Sequence, residues 1–99
     1  MYITIREFVK SNTAVSYDDG QKCLKVILAH IDNEREIFLD FKGIDFVITA
    51  FLNPIIGNLI LQKEKTIMKK IKICNTNENI IGKIELVRDG ALLKREDML

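Results

Sequence analysis

One histidine, two cysteines and fourteen carboxylates are all the imidazole, thiol and acid groups that this 99-residue chain can bring to chemistry. His30 falls one residue before Ile31 and three after Ile27, in a stretch with helical periodicity. That placement reads as a helix-flank residue in a last turn, with no visible partner to make it a base or a metal ligand. Cys23 and Cys74 stand far apart, outside any C-x-x-C pair. One lies on the apolar side of a helix and the other ends a strand. Two packed thiols are expected, rather than a disulfide or an activated thiolate. One histidine with two distant cysteines does not close a zinc site, so no metal is expected. No dinucleotide fingerprint, phosphate-binding loop or nucleophile elbow is present. No cofactor and no catalytic activity are therefore expected.

Charge adds one local feature. Lys63, Lys65, Lys69, Lys70 and Lys72 form a basic run that could neutralise phosphates. No aromatic residue is interleaved to stack on bases, and the net charge is only +1. The run reads as a solvated loop and strand, and nucleic acid is not an expected partner. Arg88, Lys94 and Arg95 alternate with Asp89, Glu96 and Asp97, the pattern of a solvated helix end. The longest apolar runs, 46–52 and 55–61, fall well short of the roughly 20 residues of a membrane span. The start alternates and soon meets Glu7 and Lys10, unlike a secretory leader. These features predict a cytoplasmic protein with no membrane attachment.

Positioning falls to a few elements. Ile3 and Ile5 alternate with Tyr2, Thr4 and Arg6, which predicts a half-buried strand over 2–8 and a short strand at 13–15. Ser16 with Asp18 and Asp19 is a helix start, and Cys23, Leu24, Ile27, Leu28 and Ile31 carry that helix over 17–31. Ile37-Phe38-Leu39 ending at Asp40 suits a strand buried on both faces. Gly43 turns the chain, and two adjacent apolar stripes carry a second helix to about Gln62. Residues 63–66 read as a polar loop and 70–74 as a strand. Thr76 or Asn77 caps a third helix that Gly90 ends or weakens, with a frayed tail over 94–99. The order β(β)αβαβα predicts one α/β domain over 1–99, a mixed four-stranded sheet packed with helices.

In such a sheet, ligands and partners are met beyond the carboxyl ends of the strands. Asp40 stands at such an end, where it can also bond the amides of the following loop. Asp40-Phe41-Lys42-Gly43-Ile44, followed by Thr49-Ala50-Phe51 and Ile56-Gly57-Asn58-Leu59, resembles the STAS-like family of unknown function. Ser16-Tyr17-Asp18-Asp19-Gly20 is similar to that family's polar lead into its first helix. The wider STAS group includes anti-sigma-factor antagonists, in which the first Ser or Thr at the helix start is phosphorylated by a partner kinase. By position Thr49 matches that phosphoacceptor, while Ile48 replaces the motif aspartate and Phe51 the glycine. Asn53-Pro54 is a preferred cap and first-helical pair, so the helix starts near either 49 or 53. A start at 53 leaves Thr49 in an apolar loop. A start at 49 makes Pro54 remove an internal hydrogen bond. Thr49 is expected to cap or to bond the loop.

The resemblance implies a noncatalytic module that offers this region to a regulatory partner, a kinase-like ATPase among the candidates. The expected contact residues are Asp40, Lys42, Asp45, Thr49, Phe51 and Asn53. An exposed apolar cluster around Phe46 and Phe51 would strengthen that reading. Two alternatives stand beside it. One is a small inhibitory or self-associating protein of a phage or mobile element, dimerising by edge pairing through 2–8. The other is a small-ligand binder or enzyme with a deep polar pocket near Asp40 and Thr49.

Overall fold

The computed structural model describes residues 1–63 and 65–97. A three-stranded parallel sheet in the order β1-β3-β5 joins Tyr2–Thr4, Ile37–Asp40 and Ile71–Cys74. A separate parallel pair joins β2, Thr13–Ala14, to β4, Phe46–Val47. The α/β class holds, but the expected four-stranded sheet is divided. The division follows from the turn after β3. Phe41 N–H still reaches across the sheet to Cys74 O at 3.0 Å, and Ile44 N–H then closes back on Phe41 O at 2.9 Å. Gly43 supplies the positive φ of 80° that such a turn needs at its third position. Phe41 and Ile44 are buried there, and β4 emerges beside β2.

The strand expected over 2–8 stops at Thr4. Ile5–Val9 is instead a short helix, α1, ended by Lys10 in the left-handed region with its N–H on Arg6 O. Tertiary contacts override the alternation here: Arg6 Nη1 donates to Gly43 O at 3.2 Å, and Ile3 and Ile5 are both buried. The edge strand β1 is thus three residues long, shorter than the 2–8 edge expected for dimer pairing.

Helix α2, Tyr17–His30, begins as expected, with Asp19 N–H donating to Ser16 Oγ at 3.2 Å. Its far end is closed by Lys70 Nζ on Ile31 O at 2.8 Å. Lys63 Nζ lies 3.5 Å from Asp32, so two lysines of the basic run serve neighbouring elements. The central helix starts at Thr49. It runs as α3, Thr49–Leu52, through a π turn, Asn53–Gly57, into α4, Asn58–Gln62. Pro54 lacks an N–H and its ring crowds the preceding turn, and the ladder widens by one residue at that point. Residues 65–70, from the expected loop to the first residue of the expected strand, form a 3-10 helical segment before β5. Glu64 lies outside the described residues.

Helix α5, Glu78–Asp97, is capped by Asn77 Oδ1 accepting from Ile80 N–H at 2.9 Å. It passes through Gly90 without ending, because Ala91 is buried beyond it and Arg95 is anchored. Arg95 Nη1 donates to Ile60 O and Leu61 O at 2.8 and 3.2 Å, satisfying carbonyls at the end of α4. The helix thus extends over residues 94–97, the first part of the expected tail. Met98 and Leu99 lie outside the described residues.

The aliphatic core lies between one sheet face and the helices α2, α3–α4 and α5, with Ile3, Ile37, Leu39 and Ile71 pointing inward. The other sheet face is open. Tyr2 is exposed and stacks on half-buried Phe38 with centroids 4.6 Å apart, so β3 is not buried on both faces. Cys23 is buried, and burial pushes its thiol up to about 12. His30 ends α2 on the exposed surface.

Candidate functional site

Asp40 occupies the carboxyl end of β3, level with Thr4 and Cys74 in the strand register. Its Oδ1 accepts from Lys42 N–H and from Asn75 Nδ2, each at 2.9 Å. The Asn75 amide, then the Lys42 amide, hold its carboxyl below its ordinary value. Asp40 therefore ties the loop after β3 to the loop after β5. Asn75 takes a left-handed φ of 52° in doing so. Gly43 has its own local reason, since a Cβ there would lie 2.6 Å from Arg6 Nη1. Burial, and then the Asp40 charge, raise the Cys74 thiol, the reverse of what an activated nucleophile needs.

Asp45 begins the second strand pair. Its Oδ2 accepts from Asn12 Nδ2 at 2.9 Å, and its N–H donates to Asn12 O at 2.8 Å. Phe46 follows, 43% exposed, with the Lys83 ammonium 4.3 Å from its ring centroid. The same Nζ donates to Val47 O at 2.6 Å, so α5 clamps β4. Ile48 N–H continues the pairing onto Ala14 O. Alternation along the pair puts Val15, 45% exposed, and half-buried Ile48 on the same outward side as Phe46. Of the expected apolar cluster, Phe46 is present and Val15 joins it.

Phe51 is not part of any surface. It is fully buried, because its turn of α3 packs against α2 where Gly20 allows close approach. It is removed from the contact residues. Thr49 is half-buried and opens α3, but its hydroxyl does not cap the helix. Ile48 takes the N-cap position without a side-chain bond, and its carbonyl accepts from Phe51 and Leu52 N–H. Asn53 is exposed at the start of the π turn.

Four of the expected contact residues divide between two shallow hollows. One, of about 600 Å³, is lined by Thr4, Arg6, Glu7, Asp40, Lys42 and Gly43. The other, of about 430 Å³, is a groove between the central helix and α5 that includes Thr49 and Asn53. Asp45 and Phe46 lie in neither lining. Among the described residues, no group of three or more His, Cys, Asp or Glu is placed to hold a metal ion. No helix among them is long and apolar enough to cross a membrane. Val15, Asn58 and Lys83 were not legible as surface residues. Only the strand register, the π turn and the packing of α5 bring them to this side.

The strand, type II turn and helix start are thus assembled as the Asp40–Gly43 motif requires, and residues 19–80 match the family model of the STAS-like domain of unknown function. The chain belongs to that family. The match runs from the first turn of α2 to the first turn of α5, and so includes β3, β4, the central helix and β5. No curated protein and no solved structure gives a significant match. The STAS-like domain brings its Asp40 loop, its Phe46 strand and its Thr49 helix start to successive points along one stretch of chain.

Proposed function

We propose that this STAS-like domain is a noncatalytic regulatory module that binds a partner protein through the surface following β3. The observation that carries this reading is the apolar patch of Phe46 and Val15, set between Asp45 and the helix start at Thr49. Exposed apolar side chains grouped beside polar ones are the usual makings of a contact surface. Asp40 ties the loop after β3 in place, and Lys42, Asp45, Thr49 and Asn53 are the polar residues assigned to the contact beside the patch. The partner class suggested by the wider STAS resemblance is a kinase-like ATPase. Thr49 is the candidate phosphoacceptor: it opens a continuous helical run, where a helix start favours negative charge.

The test is capture of a partner by the tagged domain, followed by interface variants. Phe46→Glu and Asp45→Arg should each abolish capture of an ATP-binding partner, while Lys72→Glu on the sheet surface should leave it intact. Capture that survives both interface variants with native folding would refute the surface.

A further inference from the structure

The π turn decides what the groove beside α5 presents. In an unbroken α-helix, residues five apart point about 140° away from one another. The i→i+5 turn takes up much of that offset: Asn58 N–H bonds Asn53 O, and both residues line the same groove. Thr49, one α-helical turn before Asn53, lines it too. The three make a polar ladder with rungs about one helical turn apart, roughly 5–6 Å. None of these three side chains bonds another group among the described residues.

The facing wall is apolar, formed by Leu86, Val87 and Ala91 of α5. Gly57 and Gly90 keep the space between open. A Cβ on Gly90 would meet nothing within 4 Å, and one on Gly57 would meet only Val87 Cγ1 at 3.7 Å, so internal packing requires neither glycine. Among the described residues, Lys94 is the only charged one in the lining.

We propose that this groove takes an extended peptide segment of a partner protein, with aliphatic side chains against α5 and a carboxylate at Lys94. A carboxamide offers a donor and an acceptor, the complement of a peptide group. Alternate residues of an extended chain recur about every 6.6 Å, close to the rung spacing, so Asn53 and Asn58 can each meet one backbone edge. A helical occupant would offer the asparagines no free backbone edge, because its backbone groups are satisfied internally. A nucleic acid would bring several phosphates to an apolar wall with one cation. The proposal rests on the reading of the domain as a partner-binding module and names the chemistry of the segment bound.

The probe is a short capped peptide of alternating leucine and serine ending in two glutamates, titrated into the isotope-labelled domain and followed by NMR. The side-chain amide signals of Asn53 and Asn58 and the backbone signals of Gly57 and Gly90 should shift together and saturate. Lys94→Glu should weaken binding about two- to fivefold, the range of one exposed ion pair. Gly90→Leu, which fills the groove from an exposed helix position, should abolish it, as should the pair Asn53→Leu and Asn58→Leu. No saturable shift at millimolar peptide, shifts confined to the Tyr2–Phe38 face, or binding undiminished in either groove variant overturns the proposal. Failure of the peptide while Phe46→Glu still breaks partner capture removes the groove alone. Failure of both removes the interaction reading as well.

Discussion

Replacing Gly20 by alanine should destabilise the domain, although alanine is the better helix former. Gly20 sits in the first turns of α2, where a Cβ would lie 2.5 Å from Pro54 Cγ and closer still to Phe51 O. Carbon atoms rest about 3.5–4.0 Å apart, so α2 and the central helix would have to separate by about 1 Å. The obstacle includes backbone, and rotation of a side chain cannot relieve it. Overpacking of this kind costs about 1–3 kcal/mol, and the gain in helix propensity returns about 1 kcal/mol. A buried site with a backbone clash belongs at the upper end of the range, leaving a net loss of about 1–2 kcal/mol. At roughly 4–8 °C per kcal/mol for a domain of this size, the melting temperature should fall by about 4–16 °C. Gly82→Ala and Gly90→Ala supply the internal control. Neither Cβ would meet anything within 4 Å, and both lie inside α5. Each should therefore gain about 0.5–1 kcal/mol. Thermal and urea unfolding of the three variants, followed by circular dichroism, reads the sign directly. A Gly20→Ala protein as stable as the α5 variants would show that the helices do not approach as described.

Two further outcomes follow from individual contacts. Arg95→Met should lower stability by about 1–3 kcal/mol in urea unfolding, because the carbonyls of Ile60 and Leu61 lose their donor at the end of α4. An unchanged midpoint would mean that solvent replaces those bonds at no cost. Asp40, whose folded pKa is lowered by Asn75 and Lys42, should stabilise the domain at pH values above its unfolded pKa of about 3.9. That contribution should be lost as pH falls through the lowered folded value, and Asp40→Asn should flatten the stability profile in that window. A carbon-detected titration that places the Asp40 pKa at or above the unfolded value would contradict the two hydrogen bonds.

Much of this protein was legible because it is locally encoded. The Ser16 cap, the α2 periodicity and the Asn77 cap are interactions within a turn or two of chain, so the residues that make them are neighbours in sequence. The Asp40–Gly43 turn is equally local, and its residues carry the family likeness. Other features depend on contacts between distant segments. The sheet divides because β2 pairs with β4 outside the β1-β3-β5 ladder. Register sets Tyr2 beside Phe38 and Lys72 on one open face, supplying next to the basic run the aromatics that its own sequence lacks. Phe51 and Phe46 are both phenylalanines near a helix start, yet one is buried in the turn that meets α2 at Gly20 and the other is left outside under Lys83. Composition and spacing determined an α/β domain, and the residues from Asp40 to Ile44 carried its likeness to the STAS-like family. Packing between segments decided which of its residues face outward, because exposure is a property of what each side chain meets and not of where it stands in the chain.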